Sequence, residues 1–412
     1  MPVGGPRRVE LPSFRAVADA LRTTTERLAC ELEQPADRAP DWSAFEWDVA
    51  RAVAALQGVS AALAHRLRWQ GPPAWQSFLA QECREIALRD AKLGELLGRI
   101  HDVALRHSIA VVALKGAALR RLGFWRDPIE RPMGDVDLLV QQSDLPALAR
   151  ALGSIGYCHS HAGRRHVAFN TGRAPAVAGF GESSLNPIPV EVHTRIAEPL
   201  PVAPVDITAR LWPTTPVAGV NPYASDAALL GHLLLHCAGN MRAHALRLAQ
   251  LRDVAALSAR MSVDDWNTWV RAADCWWVHP PLQLTARYFP GSIPAEVLAA
   301  SRDGCPPWLR RTVARQTLTD VSWSNLRIAA FPGIEWSRTP GEALRFARSR
   351  IAPDRQALSE LEYAQQVLPG LRTIPWYGQR HVTRIARWLF TRPPRVQTLR
   401  SVLDALQAGQ NS

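Results

Sequence analysis

Residues 109–140 read IAVVALKGAALRRLGFWRDPIERPMGDVDLLV, and the two ends of this stretch decide the architecture. Residues 109–114 form a short apolar run rich in β-branched residues that breaks at Lys115 and Gly116, which reads as a strand running into a turn. KGAALRRL follows as a short helix, and GDVDLLV reads as a second strand carrying Asp135 and Asp137. Side chains two apart on a strand point the same way, so both carboxylates share one face. They repel each other unless a cation lies between them. A divalent ion that prefers hard oxygen ligands, Mg²⁺ above all, is the usual answer.

Outward from this stretch the texture is helical on both sides. FRAVADALRTTTERLACELEQ, AFEWDVARAVAALQGVSAALAHRL and WQSFLAQECREIALRDAKLGELLGRIHDVALRH space their apolar residues for helices, and the last leads straight into the first strand. Beyond Val140, Asp144 is placed to cap a helix that Gly153 and Gly156 end. RRHVAFN and APAVAGF suggest strands or a hairpin, and PIPVEVHTRI alternates, with Val190 and Val192 facing one way and Glu191 and His193 the other. After Pro201 the chain is almost wholly helical. The expected fold is α+β: a small mixed β-sheet with flanking helices (91–200), a helical N-terminal arm (1–90) and a larger helical C-terminal region (201–412).

Composition narrows the classes. With 47% hydrophobic and 21% charged residues among 412, the chain has the make-up of a globular protein with a sizeable core. The net charge of +11 suits acidic partners such as nucleotides, nucleic acid or an anionic surface. Only Lys92 and Lys115 are lysines among the 48 basic residues, and one of the two stands directly before Gly116. Six scattered cysteines without a CxxC pair argue against a disulfide framework or a cysteine zinc site, and point to reduced, mostly buried thiols. No apolar run approaches the ~20 residues of a membrane helix, and the N-terminus lacks a signal-peptide core, so the expected location is cytoplasmic. RHVTRIARWLFTRPPR, near the C-terminus, is basic and amphipathic and could touch an anionic surface, although a docked helix is the commoner outcome.

The alternation of PIPVEVH nominates Glu191 as a third acid beside Asp135 and Asp137. Three carboxylates on adjacent strands suit two metal ions ~3.5–4 Å apart, which clamp the entering and leaving oxygens of a phosphoryl transfer. A phosphate cradle would come from Gly116, from free N–H groups where a helix starts at Ala117, from the Lys115 ammonium and from Arg131. Each has a blander reading: Lys115 on the surface, Gly116 as a mere turn, Arg131 bridged to Glu130 or Asp127. Glu182 in GESSLN competes for the third-acid role but sits in a turn-rich segment. His193 reads as a hydrogen-bonded neighbour of the site before it reads as a ligand. His232 and His236 lie one helical turn apart without an acid or cysteine to complete a metal set, so core packing is the first expectation for them, as for Trp266, Trp269, Trp276 and Trp277.

ALKGAALRRLGFWRDPIERPMGDVDLLV, the helix ending at GY and the VEVH strand together resemble the bacterial nucleotidyltransferase family within the DNA-polymerase-β-like superfamily, over roughly residues 90–260. HLLLHCAGN and LRLAQLRDVAAL resemble that family's helical segment, where a histidine and an aspartate recur, which correspond here to His236 and Asp253. The resemblance implies transfer of a nucleoside monophosphate from an NTP to an acceptor (small molecule, peptide, protein or RNA), with Mg²⁺ or Mn²⁺. The superfamily's Gly-Ser or Gly-Gly phosphate loop is replaced here by Lys115, Gly116 and Ala117. A catalytically silent nucleotide-binding adaptor and a basic helical nucleic-acid-binding protein are the rival readings.

Overall fold

The structure, a computed structural model, describes residues 12–163, 166–172, 181–272, 274–322 and 331–352, with Ala386 and Phe390. The expected APAVAGF strand, the helix of RQALSELEYAQQVL and nearly all of the basic C-terminal segment lie outside the described residues.

The fold is α+β. Strands β1 (Ala110–Ala113), β2 (Val136–Val140), β3 (Cys158–Ala162), β4 (Val167–Asn170), β5 (Val190–His193) and β8 (Gly219–Asn221) form a six-stranded sheet in the order β3-β4-β5-β2-β1-β8. Strands β6 (Ala197–Pro199) and β7 (Pro204–Asp206) make a separate two-stranded sheet. The large sheet is mixed: β2 runs antiparallel to β1 and parallel to β5, and β1 runs parallel to β8. Strand alternation sorts its two faces. Val111, Ala113, Val136, Leu138, Val190 and Val192 join one apolar cluster with Leu93, Leu97 and Ile100 of the helix Pro73–Arg106 and Leu148 and Leu152 of the helix Leu145–Ser154. Val112, Leu114 and Leu139, on the opposite face, join a larger core built from the remaining helices.

The 34-residue helix Pro73–Arg106 begins with proline at its first turn, where no N–H is needed. It ends as Ser108 turns left-handed (φ +56°) and the Ile109 N–H closes on the Ala104 carbonyl at 2.8 Å, which feeds the chain into β1. The helix Ala44–Leu56 starts with a capping box between Ser43 and Glu46. Asp144 does stand at the N-cap of Leu145–Ser154, but its side chain makes no capping bond there; Ser143 Oγ donates to it at 3.3 Å instead. KGAALRRL forms the expected short helix, Lys115–Arg121, which starts two residues before Ala117.

The N-terminal helices are no free arm. Val17, Leu21 and Leu28 of Phe14–Glu31 share the larger core with Leu233 and Leu234 of Asp226–Ala243 and with Val313 and Val321. The Glu26 carboxylate accepts from Tyr288 Oη at 2.5 Å and from the Thr319 N–H at 2.9 Å. The four tryptophans of 266–277 are buried in this core. All six cysteines are free thiols; Cys237, Cys275 and Cys305 are buried, whereas Cys30 and Cys158 are exposed. Among the described residues no helix is long and apolar enough to cross a membrane.

Candidate active site on the β2–β5 edge

Parallel pairing of β2 with β5 sets Asp137 directly beside Glu191 and Leu139 beside His193. Asp135, Asp137, Glu191 and His193 therefore share the sheet face that looks toward the larger helical core. That face is where the apolar pattern breaks, since Leu139 and Val112 continue it as core while Asp137, 6% exposed, interrupts it.

Charge on this face is balanced from within the chain. Lys115 Nζ lies 3.0 Å from Asp137 Oδ1, and His193 Nε2 lies 2.9 Å from the same oxygen. A carboxylate only accepts, so His193 donates through Nε2. Burial pushes the Asp137 carboxyl up, but the Lys115 ammonium and the His193 hydrogen bond outweigh it and hold the group well below the usual carboxylate range. Burial pulls the Lys115 amine down, and Asp137, Asp135 and Glu191 more than restore it, so it stays charged. Asp135 moves up through burial and the Asp137 charge, with Lys115, Arg247 and Arg131 opposing. Glu191 is pushed up to about 8 by burial and by the charges of Asp137 and Asp135. Its Oε2 lies 3.3 Å from His166 Nδ1, on the residue just before β4.

Lys115 reaches Asp137 because its backbone takes a left-handed conformation, φ +46°, unusual for a residue with a side chain. Two features hold it there. Its N–H donates to Tyr223 Oη at 3.0 Å, and Tyr223 Oη lies 2.7 Å from His232 Nδ1. With the phenol oxygen accepting from Lys115, its own proton goes to His232, whose buried ring is kept neutral by burial first and by the Lys115 charge second. Gly116 permits close packing, since a Cβ there would sit 3.0 Å from Met133 Cγ.

Several sequence expectations land elsewhere. Arg131 pairs with neither Glu130 nor Asp127. Its Nε meets Asp253 Oδ1 and Oδ2 at 2.9 and 2.8 Å, tying the loop before β2 to the helix Leu248–Ser258. Asp253, the position matching the family's recurring aspartate, is thus the partner of Arg131. Arg252 instead bonds Glu130 and lies 4.1 Å above the Trp125 ring. The Lys115 ammonium rests on a carboxylate rather than standing open toward a phosphate. Glu182, expected to be loosely held, is fixed at both ends: its carboxylate lies 3.4 Å from Arg89 Nε and its N–H donates to Glu82 at 2.9 Å. His236 lies 3.1 Å from the Asn240 side-chain amide, within its own helix.

Sequence reasoning missed His166, Tyr223 and Arg89. Arg89 stands mid-helix among other charged residues and looks solvated, yet it is 4% exposed and donates to the carbonyls of Met133, Gly134 and Asn186, clamping the entrances of β2 and β5 together. Tyr223 sits in NPYASD, a turn-like string without periodicity. For His166 a signal did exist: it lies one position before VAFN, at the mouth of a strand.

A model of a family described as "Uncharacterised nucleotidyltransferase" matches residues 43–290, more than half of the chain. The chain belongs to this uncharacterised nucleotidyltransferase family. The matched span takes in β1 to β8 and every residue of the carboxylate face, and it includes both Arg131 and Asp253. No curated protein and no solved structure matches the chain. The nucleotidyltransferase match implies an NTP as substrate.

Proposed function

We propose that the chain transfers a nucleoside monophosphate from an NTP to an acceptor nucleophile, releasing pyrophosphate, at the face formed by Asp135, Asp137 and Glu191. The observation that carries this is the in-register neighbourhood of Asp137 and Glu191 on parallel strands, two residues on from Asp135. Three carboxylates converge where the chain spends its rare lysine on neutralising them.

The residues fit divalent ions, because the donors are hard carboxylate oxygens and their mutual charge already needs a cation. Asp135, Asp137 and Glu191 would hold two Mg²⁺, with Mn²⁺ the alternative; such ions, when bound, neutralise the triphosphate and make the acceptor's hydroxyl more acidic. Glu191 is raised to about 8 by burial and by the Asp137 and Asp135 charges, and a cation bound there would favour its ionised, ligating form. Lys115, now paired with Asp137, would be the ammonium nearest to a phosphate if such an ion took its place there. Arg131 keeps its Asp253 partner and positions the loop that leads into Asp135.

Purified protein should be incubated with each of the four α-³²P NTPs, Mg²⁺ and a broad acceptor set that includes the chain itself. Replacing Asp135 and Asp137 together by alanine should lower labelling by more than about 100-fold, since loss of supporting residues alone costs 10–100-fold at metal sites. Undiminished labelling by that double variant sinks the proposal.

A further inference from the structure

His166, Glu191 and His193 each offer a ligand atom, and these atoms all lie within 4.8 Å of one another. His166 stands one residue before β4 and Glu191 and His193 on β5, and the antiparallel pairing of the two strands brings the three together. The face sums two imidazoles and one carboxylate, with Asp137 immediately behind.

We propose that these three side chains form a site for a borderline transition-metal dication, Zn²⁺ first, distinct in preference from the all-oxygen Asp135–Asp137 pair. Three geometric features argue for it. His166 Nδ1 and Glu191 Oε2 stand 3.3 Å apart, the edge length expected when two ligands sit about 2.0–2.2 Å from one tetrahedral ion. His193 is oriented by Asp137, whose carboxylate lies 2.9 Å from its Nε2. A carboxylate hydrogen-bonded to an imidazole is the arrangement that orients metal-bound histidines. The His166 and His193 rings are also held near each other, centroids 5.3 Å apart and planes tilted by 59°, so that they do not stack.

Donor chemistry selects the ion. Imidazole nitrogen suits Zn²⁺ and its transition-metal neighbours, whereas Mg²⁺ takes oxygen and keeps its waters. Three protein ligands leave a fourth position for water or substrate, the pattern of a reactive rather than a purely structural zinc site. The inference shares Glu191 with the proposed transfer reaction and makes one of its two ions a nitrogen-bound one. It does not depend on the chain being active, because ion binding is read directly.

The test uses the full chain stripped with chelator and titrated with Zn²⁺ by calorimetry, and with Co²⁺ by visible absorption, each in a large excess of Mg²⁺. Binding of one equivalent despite the Mg²⁺ is expected, together with Co²⁺ bands of four-coordinate intensity. His166→Ala should weaken Zn²⁺ by at least about tenfold, while Asp135→Ala leaves it within a few-fold. X-ray absorption at the zinc edge of the wild-type chain reads the ligands without any variant and should show two imidazoles. An oxygen-only shell, equal Zn²⁺ affinity in wild type and His166→Ala, or displacement of Zn²⁺ by Mg²⁺ overturns the site. Zinc binding without nucleotide transfer would sink the proposed reaction and leave this site standing. Transfer with Mg²⁺ but no zinc binding would do the reverse.

Discussion

Arg131 separates two accounts of the loop before β2, one in which it grips a phosphate and one in which it locks the sheet to the helical region. The structure favours the lock. Asp253 is 1% exposed, and its carboxylate receives Arg131 through Nε at 2.8–2.9 Å and through a second guanidinium nitrogen at 2.8 Å. Burial raises the Asp253 carboxyl, with Arg131 as the main opposing influence, so the ionised form depends on its partner. Removing one member of such a buried pair strands the other and costs about 3–5 kcal/mol, whereas an apolar pair of similar volume is often neutral. Arg131→Met and Asp253→Leu should therefore each lose about 3 kcal/mol or more in urea denaturation. The double variant should lie within about 1 kcal/mol of wild type, far from additive. If the double variant instead loses the sum of the singles, the lock is refuted. So it is if Arg131→Met leaves the urea midpoint unchanged while nucleotide binding falls.

Glu82, 3% exposed, accepts from Ser60 Oγ and the Glu182 N–H, and burial raises its carboxyl to about 7. Between pH 4.5 and 7 the folded chain keeps a proton that the unfolded chain has released, so stability is full below 4.5 and falls as pH rises through 7. Glu82→Gln, which preserves the shape, should remove up to about 3 kcal/mol of that fall in denaturation midpoints compared at pH 5 and 8. Gly231→Ala would place a Cβ 2.0 Å from Trp269 Cζ2, so a loss of at least about 1–3 kcal/mol and a lowered Tm are expected. Lys115→Met should destabilise the chelator-treated chain by about 3 kcal/mol, because the buried Asp137 carboxylate loses its ion-pair partner. Mg²⁺ should then raise its Tm more than it raises wild type's; equal Mg²⁺ responses would show that Lys115 does not stand in for an ion.

Local pattern carried the reading where a short period encodes direction. The alternation of GDVDLLV and of PIPVEVH marks which side chains share a face, and a motif between them announces a turn. Neither tells which strands lie side by side, so the register of Asp137 with Glu191 needed the sheet itself. What stayed hidden rests on contacts across long stretches of chain. Arg131 and Asp253 are 122 residues apart, and each has nearer opposite charges that a linear reading must consider first. Arg89 was hidden for a related reason: apart from Glu182, its partners are backbone carbonyls, which leave no trace in residue type. His166 shows a third kind of blindness, because its neighbours in space belong to the next strand over, across a segment with no clear periodicity.

The sharing of one core by early and late helices bears on how the protein is born. Among the described residues, the cluster that backs the sheet is complete once Val220 has emerged from the ribosome. Phe14–Glu31 finds its first apolar partner soon after synthesis, in Ala44–Leu56. Its Glu26 gains Tyr288 and Thr319 only about 260 to 290 residues later, at roughly 5–20 residues per second. The other face of the sheet waits as well, since the helices that cover Val112, Leu114 and Leu139 are largely made after Val220. A chain terminated soon after the sheet is finished should carry its carboxylate face and still be insoluble.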